Sequence, residues 1–268
     1  MASDAPIGIF DSGIGGLTVA HAVKEVLPNE PLIYFGDTAH VPYGDKSQVT
    51  IQAYAIKIVN ILLDQGCKAI LIACNSASAA AFDLVKEYVG SRALVYNVID
   101  PVVAYAQEHC AGQQVGLIGT KQTISSRVFD AKFARLGQSV ALKALATPLL
   151  APMIEEGFYN NNISQQIINS YLEDKALDGI ESLILGCTHY PLIKDQVSDY
   201  YEGSVQLLDT SRIVASYLRE QLAAEGLMHT GEPKPARFLV SDYTESFEAS
   251  ARHFFGEPVT LEKFHLWD

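Results

Sequence analysis

The chain has 268 residues, of which 49% are hydrophobic and 19% charged, and its formal net charge is −12. This length suffices for one large or two ordinary domains with a substantial core. The acidic balance argues against a nucleic-acid partner, whose phosphates require concentrated positive charge. No run of 18 or more apolar residues occurs, and the first ten residues lack the basic segment of a signal peptide. We therefore expect a cytoplasmic protein that does not span a membrane.

Strand-like and helix-like stretches alternate along the chain. Short apolar runs rich in β-branched residues predict strands at residues 7–10, 32–35, 69–73, 93–99, 115–119, 140–146, 182–186 and 205–209. Amphipathic stretches between them, such as 47–66 and 164–179, predict helices. This alternation is typical of an α/β fold with largely parallel sheets. The C-terminal stretch adds an apolar helix and a late strand, which we expect to pack on the first half.

The sequence contains an internal repeat, in which similar motifs occur in the same order in two parts of the chain. Residues 7–12 parallel residues 115–120, and Cys74 parallels Cys187. This repeat predicts two similar α/β domains in pseudo-twofold relation, with the active site in the cleft between them. We place the first domain at residues 1–97 plus 208–268 and the second at 98–207. The alternative is the strand–helix rhythm that any α/β chain shows.

Two cysteines end the two most similar segments, KAILIACNSASA (68–79) and ESLILGCTHYPL (181–192). In each, a buried parallel strand delivers a cysteine to the carboxyl edge of its sheet, where open α/β sheets bind ligands. Hydrogen-bonding side chains follow directly. A thiol at a helix N-terminus has a lowered pKa and favours the reactive thiolate. We therefore predict that Cys74 and Cys187 carry the chemistry.

The remaining cysteines, Cys67 and Cys110, lack such neighbours and are expected to be small buried hydrophobes. The chain has no C-x-x-C pair. A zinc site formed by Cys74, Cys187 and His189 is an alternative, although no second ligand pair has metal spacing. A cysteine hydrolase is another, but it leaves one of the two cysteines without a role.

The first strand ends in the glycine-rich segment FDSGIGGLTV (10–19). Asp11 and Ser12 lie at its turn, where a following helix would present free N–H groups to an anion. The segment lacks the Gly-Lys-Ser/Thr ending of a nucleotide-binding loop. The alternative is that its glycines serve only a tight turn.

A second loop, YFGDTAHVPYGDKS (34–47), follows the second strand. Such loops at the carboxyl end of a strand commonly contact ligands. Tyr43 and the N–H group of Gly44 are our ligand candidates. Asp37 and Asp45 either contact a ligand or cap turns.

Two further groups are candidates to assist the thiols. His189 lies two residues beyond Cys187 and is placed to act as a proton relay. Glu155 and Glu156 are adjacent acids in PLLAPMIEEGFYN (148–160). Either carboxylate could serve as a hydrogen-bond partner for the base, or both could lie on a solvated helix face.

Together these residues resemble the cofactor-independent glutamate racemases, within the wider aspartate/glutamate racemase superfamily. The resemblance covers nearly the whole chain and rests on FDSGIGGLTV, GDTAHVPYG, ACNSASA, VGLIGT, APMIEEG and LGCTHYPL in that order. It implies two α/β halves in pseudo-twofold relation, no cofactor, and glutamate as a small-molecule substrate. It also implies that the D-glutamate formed is used for peptidoglycan.

The resemblance implies that Cys74 and Cys187 are the two proton-transfer residues, Cys74 acting on D-glutamate and Cys187 on L-glutamate. Asp11, His189 and one glutamate, for which we favour Glu155, are implied to assist them. The implied substrate-binding residues are Asp11, Ser12, Tyr43, Gly44, Asn75, Ser76, Thr188 and His189. Ser76 stands where the family more often has Thr, and it keeps the hydroxyl.

Racemisation removes the Cα proton from one face of the substrate and returns a proton to the other, so one base on each face is the minimal arrangement. No lysine lies in a motif suited to a pyridoxal cofactor. A racemase acting on aspartate or another amino acid is one alternative, and a non-catalytic small-ligand-binding protein is another. For the oligomeric state, the prediction is a homodimer.

Overall fold

The structure is a computed structural model that describes residues 2–137 and 140–266. This part of the chain contains ten strands, and every strand pair is parallel. In chain order they are β1 (Ile7–Asp11), β2 (Leu32–Gly36), β3 (Ala69–Ile72), β4 (Leu94–Asn97), β5 (Gln114–Gly119), β6 (Ala141–Ala146), β7 (Ser182–Gly186), β8 (Gln206–Leu208), β9 (Arg237–Val240) and β10 (Leu261–Lys263). The predicted α/β class with parallel sheets is confirmed.

Helices connect successive strands and cover the sheets. They are α1 (Leu17–Val26), α2 (Gln48–Asp64), α3 (Asn75–Val89), α4 (Asp100–His109), α5 (Lys121–Ser125), α6 (Val128–Arg135), α7 (Leu150–Glu155), α8 (Asn162–Leu172), α9 (Lys194–Tyr200), α10 (Thr210–Ala224) and α11 (Glu245–Phe255). Short 3-10 turns lie at Thr38–His40, Tyr43–Asp45, Lys175–Leu177 and Tyr190–Ile193. No helix in the described ranges is long and apolar enough to cross a bilayer.

The strands form two sheets with the same internal order. The first runs β10-β9-β2-β1-β3-β4 and the second β6-β5-β7-β8. If β9 and β10 are set aside, each sheet places its first strand between its second and third, with its fourth at the edge. A right-handed crossover helix between parallel strands produces such an order in doubly wound folds. The sequence repeat therefore corresponds to two similar α/β halves.

The register of the two sheets shows how closely the cysteines correspond. Phe10 of β1 pairs with Ile72 of β3, and Ile118 of β5 pairs with Leu185 of β7. Cys74 lies two residues beyond Ile72, and Cys187 lies two residues beyond Leu185. Cys74 and Cys187 therefore lie at equivalent positions, each just beyond the carboxyl edge of its own sheet and next to the central strand of that sheet.

The C-terminal stretch returns to the first half, as expected. The apolar helix expected in this stretch is α10, which packs on α1, and the late strand is β9, which pairs with β2. Strand β10 was not predicted, because it has only three residues and two of them are exposed. Leu208 pairs with Ile184 in the second sheet. We therefore propose that the chain leaves the second domain directly after Leu208.

A buried ion pair holds the end of the first sheet that lies away from the cysteines. Nζ of Lys68 lies 2.6 Å from Oε2 of Glu30, and both side chains are almost completely buried. The ammonium group also donates to the carbonyl oxygens of Ser3 and Leu227. The second carboxylate oxygen of Glu30 accepts from the backbone N–H of His229. The pair thus ties together four separate chain segments at the base of β3.

Breaking this pair should destabilise the fold. Glu30→Gln leaves the Lys68 ammonium buried without its counter-charge, so we expect a loss of about 3 kcal/mol in the free energy of unfolding. Urea denaturation at pH 7 measures it. The control is Glu262→Gln, which removes the exposed partner of Arg237 and should cost less than about 1 kcal/mol. Equal losses for the two variants would contradict this account.

Candidate active site

The carboxyl ends of the two sheets meet at one pocket. Both predicted cysteines line it, although they come from different halves of the molecule. The residues that line the pocket are Ser12, Val41, Pro42, Tyr43, Gly44, Asp45, Cys74, Asn75, Ser76, Thr120, Lys121, Thr147, Pro148, Ala151, Pro152, Glu155, Cys187, Thr188 and His189. Every predicted site residue except Asp11 is among them. Asp11 lies directly beneath, fully buried at the end of β1.

Cys74 occupies the N-cap position of α3. Its Sγ accepts from the backbone N–H of Ala77 at 3.4 Å and lies 3.7 Å from Oγ of Ser12. The Asp11 carboxyl lies close enough to this thiol for the two groups to influence each other's pKa. The sulfur is therefore held on one side by a helix N-terminus and on the other by the end of β1, and both contacts fix the direction of the thiol.

Cys187 has a different set of partners. Its Sγ lies 3.6 Å from Nδ1 of His189, and the backbone N–H of His189 also hydrogen bonds to it. A 3-10 turn, not an α-helix, follows at Tyr190–Ile193. The predicted helix N-terminus is therefore present at Cys74 and only approximated at Cys187.

The prediction that both thiols have a lowered pKa is wrong. Burial raises the pKa of Cys74 to about 12, and it raises the pKa of Cys187 further. Backbone N–H groups oppose the shift at each sulfur, but the loss of hydration is the larger effect. Each thiol is therefore protonated at neutral pH in this structure.

Asp11 connects the two halves of the site. One carboxylate oxygen accepts from the backbone N–H of Gly13 at 3.1 Å, and the other lies 3.5 Å from Oγ1 of Thr188. Burial raises the pKa of Asp11, while bonds from the glycine-rich turn counteract it. A carboxyl with a raised pKa, in contact with the Cys74 thiol, is able to exchange a proton with it.

His189 is held by close packing. A Cβ placed on Gly15 would lie 2.4 Å from Cε1 of His189, so only glycine fits there. The edge of the Phe254 ring contacts the imidazole at 5.2 Å between centroids. Burial lowers the pKa of His189 to about 4, so the ring is neutral at pH 7. The turn glycines therefore serve close approach to the site as well as chain reversal.

Glu155, and not Glu156, lies in the pocket. Its Oε2 is 3.8 Å from Nε2 of His189, whereas Glu156 is exposed. Burial, with smaller contributions from Asp11 and Glu156, raises the pKa of Glu155 to about 7. Oε1 of Glu155 and Nε2 of His189 are buried without a hydrogen-bond partner among the described residues. Such atoms in a pocket are suited to receive a ligand or a water molecule.

The loop after β2 contributes its backbone more than its polar side chains. The Tyr43 hydroxyl donates to Oδ2 of Asp37 at 2.6 Å, so it is not free to bind a ligand. Asp37 is fully buried and also accepts from the Ser241 hydroxyl, which makes it a structural residue. Gly44 packs against Thr120 of the second half. Asp45 pairs with Lys121 across the pocket mouth.

Several residues in or next to the pocket were missed by sequence reasoning. Thr120 lies where the repeat places the counterpart of Ser12, so the repeat offset could have identified it. Its hydroxyl lies 2.9 Å from that of Ser76. Thr147 and Phe254 reach the site through long-range packing, and no local pattern marks them. Thr18 also went unnoticed, although its hydroxyl donates to the carbonyl of Thr188 at 2.9 Å.

The described part of the chain gives no indication of a metal centre. Within residues 2–137 and 140–266, no group of three or more His, Cys, Asp or Glu side chains is arranged to hold a metal ion. The geometry therefore gives no support to the zinc alternative.

The raised pKa of Glu155 predicts a pH-dependent stability effect. Its charged form is disfavoured in the folded state, so its contribution to stability is present at low pH and is lost as pH rises through 7. Glu155→Gln removes this penalty and should stabilise the protein at pH 8.5 by up to about 3 kcal/mol, with little effect at pH 4.5. Denaturant unfolding at both pH values measures it. Glu156→Gln is the control and should change stability by less than about 0.5 kcal/mol. A gain for Glu155→Gln that is equal at both pH values would contradict the assignment.

Comparisons with known proteins identify the family of the chain. The family model described as Asp/Glu/Hydantoin racemase matches residues 17–218. The glutamate racemase of Chlorobaculum tepidum is 38% identical over 257 residues, which cover 96% of this chain and 94% of that protein. The glutamate racemase of Neisseria meningitidis serogroup A is 38% identical over 262 residues, covering 97% and 96%.

Solved structures show the same fold. The crystal structure of glutamate racemase from Francisella tularensis, in complex with D-glutamate, has 37% sequence identity and a TM-score of 0.90, with 98% of both chains covered. The Thermus thermophilus glutamate racemase, in complex with beta-chloro-D-alanine, has 38% identity and a TM-score of 0.88, with 99% of both chains covered. The present chain therefore belongs to the Asp/Glu/Hydantoin racemase family and is an amino-acid racemase.

Proposed function

We propose that this enzyme interconverts L- and D-glutamate by moving the Cα proton between Cys74 and Cys187. The observation that carries the proposal is the delivery of two thiols, from equivalent strand ends of two similar halves, into one pocket. The similar proteins named as glutamate racemases, one of them bound to D-glutamate, support glutamate as the substrate.

The reaction needs one base on each face of the substrate. With L-glutamate, the Cys187 thiolate takes the Cα proton and becomes a thiol, which leaves a planar carbanion-like intermediate. The Cys74 thiol then gives its proton to the opposite face, which yields D-glutamate and a Cys74 thiolate. The reverse reaction begins at Cys74. Each turnover therefore exchanges the protonation states of the two cysteines, and no cofactor is required by this scheme.

A thiolate must be formed in a pocket that disfavours it. The α-ammonium group of the substrate brings a positive charge next to the sulfurs, and such a charge lowers a thiol pKa. The displaced proton has an acceptor on each side. Asp11 contacts Cys74, and neutral His189 contacts Cys187 through Nδ1 at 3.6 Å. Glu155, at 3.8 Å from Nε2, would stabilise the imidazolium that forms.

Hydroxyl, amide and backbone N–H groups would hold the substrate carboxylates. Ser12, Asn75, Ser76 and Thr188 line the pocket and lie next to the thiols in sequence or space. Together with the N–H of Gly44, they offer donors on both sides of the cleft. Donors fixed in a water-poor pocket also stabilise the negative charge that develops on the carboxylate side of Cα.

The proposed physiological role is the supply of D-glutamate for peptidoglycan in the cytoplasm of a bacterium. The bacterial glutamate racemases to which the chain is similar support it.

Expression of the gene should restore growth of a bacterial D-glutamate auxotroph without added D-glutamate. The Cys74→Ser form should fail to do so at equal protein level. A homodimer stays a prediction, which sedimentation of the purified enzyme would measure.

Each cysteine should be essential. Cys74→Ser and Cys187→Ser replace a thiol with a hydroxyl that is far less acidic, so we expect each to lower kcat for L-glutamate racemisation by at least about 1000-fold. Circular dichroism of the amino acid measures the rate without added cofactor. Cys110→Ala removes a buried thiol outside the pocket and is the matched control, expected to keep kcat within about threefold.

Parallel assays separate glutamate from its alternatives. Racemisation of L-aspartate at a higher kcat/KM than L-glutamate would assign the chain to a sister racemase. Wild-type activity that survives either serine substitution would contradict the two-thiol scheme. Tight binding of glutamate with no racemisation would indicate a binding protein.

A further inference from the structure

One charged pair at the pocket has no role in the chemistry described above. Nζ of Lys121 lies 3.2 Å from Oδ1 of Asp45. Asp45 ends the 3-10 turn Tyr43–Asp45 in the first half of the molecule, and Lys121 begins α5 in the second half. The ion pair therefore crosses the cleft from one half to the other.

The same pair lines two cavities. Asp45 and Lys121 both line the pocket that contains the thiols, and both also line an open groove on the surface. The groove is shaped further by Lys46, Asp83 and Gln122, none of which reaches the pocket. The pair is thus part of the wall that separates the reaction pocket from solvent.

The lower part of this wall is closely packed. A Cβ on Gly44 would lie 2.9 Å from Cβ of Thr120, and the hydroxyl of Thr120 lies 2.9 Å from that of Ser76. The upper part is different, because the Asp45 and Lys121 side chains are each 61% exposed. An exposed ion pair contributes at most about 1 kcal/mol, so this one separates at little cost.

Lys121 is also the only lysine or arginine among the described residues that line the pocket. The carboxyl groups there are those of Asp45 and Glu155, with that of Asp11 beneath them. The whole chain carries a formal charge of −12. A substrate with two carboxylates is therefore repelled by the protein at long range and meets one cation at the pocket mouth.

We propose that the Asp45–Lys121 pair is an electrostatic gate for an amino-dicarboxylic acid. Lys121 releases Asp45, pairs with a carboxylate of the incoming substrate, and returns to Asp45 once the substrate has passed into the pocket. Lys121 is a gating residue and does not touch the reacting atoms. This inference rests on the proposed function, because that function supplies the dicarboxylate.

Steady-state kinetics with L-glutamate across a series of ionic strengths test the gate. Lys121→Gln should raise KM about tenfold at low ionic strength, leave kcat within about twofold, and remove most of the salt dependence of kcat/KM. Asp45→Asn frees Lys121 to pair with the substrate. Its KM should therefore not rise, and should lie at or below the wild-type value. The matched control is Lys46→Gln, which removes the same charge from the same groove and should behave as wild type.

Two results would overturn the gate. Equal increases in KM for Lys121→Gln and Lys46→Gln would show a general field effect, and a loss confined to kcat would place Lys121 in the chemistry. Calorimetric binding of L-glutamate to the same variants keeps the two proposals separate. Lys121-dependent binding without racemisation contradicts the proposed function alone. Racemisation with a KM that does not depend on Lys121 contradicts the gate alone.

Discussion

The free-energy cost of a buried thiolate is the constraint on which the rest of the site depends. Cys74 and Cys187 are both at least 94% buried, and burial alone raises the pKa of each well above the ordinary value for a thiol. A dry pocket favours transfer of a weakly acidic Cα proton, because the stabilising dipoles do not have to compete with water. The same burial keeps both thiols protonated, and in the proposed reaction the ammonium group of the substrate offsets this effect. Ligand binding and base activation are therefore coupled in the account proposed above.

The fold meets this constraint by using one architecture twice. Two sheets of the same strand order each deliver a thiol beside the central strand. The surroundings of the thiols differ, because Cys74 contacts a carboxyl and Cys187 contacts an imidazole. In the proposed reaction, the two directions would consequently use chemically different proton acceptors. Cross-cleft contacts, such as the bond from Thr18 to the carbonyl of Thr188, hold the halves in register.

Much of this arrangement could be predicted from the sequence. Buried parallel strands have strong apolar patterns, and a cysteine directly after such a strand must lie at the sheet edge. The sequence alone therefore predicts that Cys74 and Cys187 lie at the carboxyl edges of the two sheets. The sequence does not show which residue of the 155–156 pair faces the pocket. That choice depends on how a six-residue helix packs, and the sequence pattern does not determine this packing. The pKa values of the thiols were mispredicted because a local rule about helix ends ignores burial. Phe254 and Thr147 were missed since their contacts with the site are long-range.

The most direct test of opposed thiols is the isotope content of the amino acid during the first tenth of a reaction in D₂O. Each thiol exchanges its proton with solvent before substrate binds, so a two-base enzyme adds deuterium from the face opposite to the one it deprotonates. With opposed thiols, newly formed D-glutamate is expected to carry deuterium at Cα, while recovered L-glutamate retains hydrogen. Deuterium appearing in recovered L-glutamate as fast as in D-glutamate would show a single base serving both faces, and it would contradict the assignment of Cys74 and Cys187.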